Sequence, residues 1–463
     1  EHKCTFPVTC RLLCRRIIWL PYAKSCFTVE FVIPQLIVMN ANNNKKSYLF
    51  PMIVMSVLFF MVGFITTMNN SLIDFLSSSK WMLSFSEKQL VNTSFFGAYL
   101  FSIPLSYLLN KLGYKASAVL SLLVVGIGFI LTYPAVMMGY SAFLCSMFIV
   151  ALGIALLQIV LNPYVLALGP KNEAASRLNL VGFFNSVATV AAPIFVALLI
   201  SSETVGKNVA VEDRPDATNV QIPFLIIAGI AMILCLLLYF LHLPEIRETS
   251  AEKERSTVSP YRYPHLMFGA VAIFVYMGVE IGIPSFLPDR MRALGIDSVS
   301  FLGTEWKGAG VLSIYWGGLM VGRLFGSILL RKIKVRTAMV YCCTVAMTLL
   351  AVSLLIGGEL SVILMLLCGF FNSIMWGSIF NLASEDLGEH TKRASGIICS
   401  FAIGGALLPP LMGTLQQSFG ENALTTGTSV ALCYLFVYYL YIILFSIRLS
   451  VIRPGKSLDN IGS

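Results

Sequence analysis

Leu49-Phe-Pro-Met-Ile-Val-Met-Ser-Val-Leu-Phe-Phe-Met-Val-Gly-Phe-Ile-Thr-Thr-Met68 runs for 20 residues without a charged side chain. At 1.5 Å of rise per residue this stretch, coiled as a helix, covers about 30 Å, the thickness of a bilayer's hydrocarbon core. Stretches of the same length and polarity recur along the chain. Its 463 residues are 57% hydrophobic and 12% charged, with a mean hydropathy of +0.81, where soluble domains carry roughly 25% charged residues. This composition excludes a soluble globular enzyme and a disordered chain. The expected class is an all-α integral membrane protein.

Apolar runs, Gly/Pro punctuation and polar gaps predict twelve transmembrane helices. They fall at about 48–72, 89–109, 115–135, 140–168, 173–201, 221–243, 264–288, 308–330, 337–357, 360–384, 392–418 and 425–447. The longest charged stretch, Glu245-Ile-Arg-Glu-Thr-Ser-Ala-Glu-Lys-Glu-Arg-Ser256, separates the sixth from the seventh. The chain is therefore divided into an N-terminal segment (1–46), a six-helix half (47–243), a linker (244–263), a second six-helix half (264–449) and a tail (450–463). Residues 1–38 lack an apolar run of signal-peptide length. They read as upstream sequence ahead of Met39, with a native basic arm as the alternative. The basic turn Asn110-Lys-Leu-Gly-Tyr-Lys115 is echoed about 221 residues later by Arg331-Lys-Ile-Lys-Val-Arg336. Two parallel six-helix pseudo-repeats with a site near the midplane describe the major facilitator fold. A second match, Gly182-Phe-Phe-Asn-Ser186 with Gly369-Phe-Phe-Asn-Ser373, joins non-equivalent helices and reads as chance or as convergent use of a packing-plus-amide motif.

The net charge of +9 belongs to cytoplasmic loops by the positive-inside rule, not to a nucleic-acid footprint. Lys111, Lys115, Lys171, Arg177, Arg247, Lys253, Arg255, Arg331 to Arg336, Lys392, Arg393, Arg448, Arg453 and Lys456 fall on one side, which places both termini and the linker in the cytoplasm. Of 11 cysteines, seven lie inside apolar segments as packing residues. Cys4, Cys10, Cys14 and Cys26 show no metal-ligand spacing. No disulfide framework, metal site or cofactor is expected.

Polar groups at membrane depth are costly and mark candidate sites. Asn69 and Asn70 end the first apolar run. Gln158 and Asn162 are i,i+4 on the fourth helix and so share a face, with Pro163 freeing a carbonyl beside them. Asn185 and Asn372 add two amides. Paired amide donors and acceptors suit the vicinal hydroxyls of a neutral polyol; the alternative is interhelical hydrogen bonding. Glu280 lies about 24 Å along its helix from Pro264, with no cation within one turn. It is a candidate proton carrier or hydroxyl acceptor, unless a cation from another helix pairs with it. Asp74 shares a face with Asn70 but lies about 39 Å from the start of the first span, which makes it a second coupling candidate or a solvated helix end. Arg323 is expected to latch onto Glu385 and Asp386, with a substrate role as the alternative. Gly404-Gly405 and Pro409-Pro410 fit close helix approach and a kink.

Several motifs together resemble the fucose-galactose-glucose:proton symporter family of the major facilitator superfamily. In the first half they are Gly63-Phe-Ile-Thr66 with Asn69-Asn70, Phe95-Phe-Gly-Ala-Tyr99, Leu112-Gly-Tyr-Lys115, Asn162-Pro-Tyr-Val165 with Leu168-Gly-Pro170, and Arg177-Leu-Asn-Leu180 with Asn185-Ser186. In the second they are Gly278-Val-Glu280, Tyr315-Trp-Gly-Gly318 with Gly322-Arg323, Phe371-Asn-Ser-Ile-Met-Trp376 and Gly404-Gly405. The likeness runs from residue 48 to about 445 and is nearest the glucose/galactose branch. It implies carriage of a small neutral sugar by alternating access in a bacterial inner membrane, by a monomer, with a proton or sodium as the possible co-transported ion. The sequence departs from the family pattern where coupling is concerned. The first-helix acid corresponds to Asn70, the fourth-helix acid of the L-fucose branch to Gln158, the fifth-helix Gln to Gly182, and the Asp of the loop after span two to Asn110. Symport and facilitated diffusion therefore both remain open. A non-transporting sugar sensor and an exporter of another small solute are the competing readings, and no nucleophile-base pair suggests an enzyme.

Overall fold

The computed structural model describes residues 48–78, 81, 94–199, 216–244 and 259–451. Residues 1–47, most of the linker, the tail beyond Val451 and the side chains of Asn69, Asn70 and Asp74 lie outside the described residues. Residues 1–53 and 54–463 form two units. The described part of the first is the start of α1, and the architecture below is that of the second.

The N-terminal half contains α1 (Leu49–Ser78), α2 (94–112), α3 (114–138), α4 (Tyr140–Ala167), α5 (Ala174–Leu199) and α6 (Gln221–Phe240). The C-terminal half contains α7 (Pro264–Ala293), α8 (Ala309–Lys332), α9 (Val335–Leu355), α10 (Gly358–Ala383), α11 (Thr391–Gln417) and α12 (Gly420–Leu449). Twelve helical segments are thus present among the described residues, near their predicted places, and all but α5 overlap stretches long and apolar enough to cross a membrane. In hydrocarbon a chain must satisfy its backbone internally, which apolar sequence of this length does by coiling into helices. The α2–α3 turn falls in the basic stretch 110–115, where helical geometry breaks at Gly113 (φ 77°, ψ 175°), a conformation that glycine adopts without a Cβ penalty.

Apolar residues divide by face. On α6, Phe224, Ile227, Ala228, Ala231, Cys235 and Leu238 are buried, at helical spacing, while Ile222, Ile233, Leu236, Tyr239 and Phe240 are exposed where lipid would lie. The buried stripe meets α3: Phe129 stacks on Phe224 at 5.5 Å, and Cys235 Sγ donates to the Val119 carbonyl. Glycines let α3 and α4 approach closely, because a Cβ at Gly128 would overlap Val150 and one at Gly153 would overlap Val125.

Three features of the C-terminal half depart from the sequence expectation. Helix α10 breaks at Ser373–Ile374, between Gly358–Asn372 and Met375–Ala383. Helix α11 contains a tight turn at Phe401–Ile403, just ahead of Gly404, whereas Pro409 and Pro410 lie inside the regular stretch Gly404–Gln417. The closeness expected at Gly404 is present: its α-carbon faces the Phe274 carbonyl of α7, where a Cβ would overlap. A β-hairpin joins α7 to α8, with β1 (Ser298–Phe301) antiparallel to β2 (Thr304–Lys307). Leu302 (φ 52°) and Gly303 (φ 76°) at its tip have the left-handed backbone of a two-residue hairpin turn. The Glu359 carboxylate accepts from the Ser300 amide and so holds the hairpin to the start of α10. Nearby, the buried Arg290 of α7 donates to Ser361 Oγ, to Ser429 Oγ of α12 and to the carbonyls of Ser353 and Ile356.

A candidate substrate site between the halves

The basic turns gather on one face and tie the halves together there. Lys171 in the α4–α5 turn pairs with Asp386 beyond α10 at 3.5 Å. Ser176 Oγ on α5 donates to the Ser327 carbonyl on α8 and accepts from Arg331. Lys392 and Arg393 at the start of α11 lie over the rings of Tyr114 and Tyr107, 5.3 and 5.1 Å from their centroids. Ser395 donates to the Ile159 carbonyl, and Gly396 sits so close to Ser102 and Ser106 of α2 that a Cβ would overlap both. Arg177, quoted above for its motif, donates to the carbonyls of Val165, Leu166 and Pro170. It caps the C-terminus of α4, where a cation suits the unpaired carbonyls and the helix dipole.

Further in, the seam reaches Tyr99, which is 4% exposed and clusters with Ala155 and Ala402, with Phe96, Met277 and Trp376 packed around it. Gln158 Nε2 donates to the Tyr99 hydroxyl at 2.9 Å, leaving the amide oxygen of a half-buried side chain for other partners. Asn162 is 1% exposed. Its Nδ2 donates to the Gln158 carbonyl and lies 4.0 Å from Cys399 Sγ of α11, while its Oδ1 is buried without a partner. The pair on one face of α4 is therefore split by depth, with Gln158 above the seam and Asn162 inside it.

Glu280 meets a cation from another helix. Arg323 Nη2 of α8 lies 3.8 Å from its Oε1, with both side chains about nine-tenths buried (11% and 12% exposed). The other arm of Arg323 crosses to the N-terminal half, where Nη1 donates to the Gly182 carbonyl (3.1 Å) and Ser186 Oγ (2.9 Å), with Asn185 Oδ1 at 3.5 Å. Asn185 Nδ2 in turn donates to the Phe59 carbonyl of α1. This corrects the expected latch. Arg323 is nine residues inside the basic end of α8, about 13 Å by helix rise, whereas Glu385 and Asp386 follow the end of α10 on the face itself. Cations at that level reach them: Arg336 holds Glu385 at 2.7 Å and Lys171 holds Asp386.

Asn372 lies apart from this group. It is wholly buried, donating Nδ2 to the Tyr315 hydroxyl (3.2 Å) and accepting at Oδ1 from the Tyr439 hydroxyl (2.8 Å), while its carbonyl accepts from Tyr276. Tyr315 donates onward to the Glu280 carbonyl. Asn372 thus fixes the α7–α8–α10–α12 packing behind Glu280, and its amide is fully engaged.

The structure therefore joins Asn185 and Glu280 through Arg323, holds Gln158 to Tyr99, sets Asn162 in the closed seam and Asn372 in the core. Asn69, Asn70 and Asp74 lie outside the described side chains. Sequence reasoning assigned no role to Tyr99 or Trp376, although both occur in the motifs quoted. From Asn372 to Phe380, Trp376 is the one side chain that is not buried. Amide, carboxylate and guanidinium groups can donate to and accept from a compact hydroxylated solute, and an indole such as that of Trp376, packed at the Tyr99 cluster, can stack on one.

Residues 55–409 match the Major Facilitator Superfamily, well over half of the chain. The chain belongs to the Major Facilitator Superfamily. Membership makes it a multi-pass membrane transporter and not an enzyme. Within the superfamily it is 36% identical over 381 residues to the glucose/galactose transporter of Brucella abortus biovar 1 (strain 9-941), covering 82% of this chain and 90% of that one. It is 28% identical over 418 residues to the L-fucose-proton symporter of Escherichia coli (strain K12), covering 85% and 93%. Among solved superfamily structures, that of the transporter FucP in the outward conformation matches with a TM-score of 0.71 at 28% identity, over 88% of this chain and 100% of that one.

Proposed function

We propose that this transporter carries a neutral hexose-type sugar, of the glucose, galactose or fucose class, across a bacterial inner membrane by alternating access of its two halves. The observation that carries the reading is the buried Arg323 bridge, which joins Glu280 of one half to Asn185 and Ser186 of the other. The names of the relatives support the substrate class. With the basic face in the cytoplasm, the ties described above close the cytoplasmic side, in keeping with the outward conformation of the matched FucP structure. One chain supplies both sides of the site, so a monomer suffices. Coupling to protons is weak in this reading. Gln158 carries no titratable group, and the Glu280 carboxylate already has Arg323 as its counter-charge.

The test is uptake of labelled D-glucose, D-galactose and L-fucose into proteoliposomes, with and without an inward proton or sodium gradient. We expect saturable uptake of at least one sugar, competition by the others, and uptake that a protonophore leaves largely intact. Glu280→Gln should lower uptake by about tenfold or more, because removing one member of a buried pair leaves the other charge uncompensated. Absence of saturable flux for all three sugars would overturn the reading. Sugar-dependent quenching of Trp376 fluorescence in that case would favour a sensor.

A further inference from the structure

We infer that Ser186, through its hydrogen bond with Arg323, is a positioning residue that makes opening of the basic face depend on bound solute; this rests on the transport reading above. The ties between the halves differ in depth. Ser176 with Ser327 and Arg331, and Lys171 with Asp386, lie at the basic face. Water enters there as soon as the face opens and replaces each lost partner, so these ties respond alike whether the carrier is loaded or empty. Arg323 is different. It sits at the depth of Glu280, about nine-tenths buried, with Nη1 donating to Ser186 Oγ and the Gly182 carbonyl of the opposite half. Helices α5 and α8 are antiparallel, with 176 beside 327 and 186 beside 323, so parting them at the basic face withdraws both acceptors together with the longer contact to Asn185 Oδ1.

With Nη2 still facing Glu280, a buried Nη1 stripped of its acceptors is unfavourable. A hydroxylated solute between the halves supplies oxygen acceptors there through the occluded passage, when the site is closed to bulk water on both sides. The loaded carrier therefore crosses faster than the empty one. Gly182 contributes by having no side chain: a Cβ there would already touch Arg323 Cδ at 3.4 Å, so bulk at this position would push the guanidinium off the main chain.

The experiment compares exchange with net flux in proteoliposomes holding the full chain, using whichever of D-glucose, D-galactose and L-fucose exchanges fastest in the wild type. Wild-type exchange should exceed net flux. Ser186→Ala removes an acceptor that the empty carrier must give up, so net flux should rise about tenfold, the effect of one hydrogen bond to a charged group. Exchange and half-saturation should stay within about twofold, and Ser186→Thr, which keeps the hydroxyl, should restore the wild-type ratio. A hydroxyl that merely packs α5 would change exchange and net flux in parallel.

A second readout needs no sugar. Cys399 is wholly buried in the seam beside Asn162, so N-ethylmaleimide reaches it only when the face opens. Its alkylation, located by peptide mass spectrometry in sugar-free buffer, should accelerate in Ser186→Ala and not in Ser186→Thr. Parallel changes in exchange and net flux, or unchanged alkylation of Cys399, would overturn the inference. If the wild type carries none of the three sugars, the transport reading fails and the alkylation arm still decides whether Ser186 holds the face shut.

Discussion

The string Gly-Phe-Phe-Asn-Ser stands once on α5 (182–186) and once on α10 (369–373), and both copies press against α8. The α5 copy reaches α8 across the seam between the halves. Its Gly carbonyl and Ser hydroxyl hold Arg323, and its Asn remains half-buried. The α10 copy lies within one half, where a Cβ on Gly369 would overlap the Tyr315 carbonyl and Asn372 joins two tyrosine hydroxyls. One set of side chains thus serves a contact that must part and a contact that must not. The difference resides in the partner: the guanidinium of a long side chain on one side, and main chain with buried phenols on the other.

Substitution of the matching positions can break this contrast. The largest effect is expected for Asn372→Ala, which strands the Tyr439 hydroxyl and removes a donor from Tyr315 in a fully buried site and should lower stability by about 3 kcal/mol. Asn185→Ala should change stability far less and act on sugar affinity. Thermal unfolding of the detergent-solubilised variants measures the first effect and concentration-dependent uptake the second; equal stability losses would erase the distinction. Next comes Gly369→Ala, forced against backbone, at about 2 kcal/mol. Gly182→Ala meets only the stem of Arg323 at 3.4 Å and should stay within about 0.5 kcal/mol of the wild type in the same melts. The smallest effect is Ser373→Ala, because Ser373 Oγ donates only to the Phe370 carbonyl of its own helix. Neither stability beyond about 0.5 kcal/mol nor the ratio of exchange to net flux should move, in contrast to Ser186.

These pairs also mark what a sequence conceals. The spans were legible because twenty apolar residues are a length matched to a bilayer, and the turns because Lys and Arg collect between them. The break in α10 was not. Ser373 and Ile374 carry no helix-breaking signal, and the cause lies on another helix, where Gly322 and Gly326 of α8 bring its backbone against those two side chains. The partner of Arg323 was equally hidden. Glu280 is 43 positions away and Ser186 is 137, and the choice of either over Glu385 is a matter of depth that linear spacing does not encode. The amides were found as polar residues in apolar surroundings, a signal that marks Asn185 and Asn372 alike and cannot tell a site from a brace. Trp376 went unassigned because an indole in a membrane helix is unremarkable until its neighbours are seen to be buried.

Arg290 has a consequence in time. Its guanidinium holds the α9–α10 connection, the start of α10 and the beginning of α12 at once, and the hairpin is fastened to the same region through Glu359. None of these strands of chain can loosen alone without stripping a shared cation of part of its shell. Their amides should therefore exchange with deuterium together, as one cooperative unit, with a single slow rate in place of a ladder of helix-end rates. A half laced at that end swings as a solid piece, so whatever bending accompanies the transport cycle is confined to the irregular turns at Ser373–Ile374 and Phe401–Ile403.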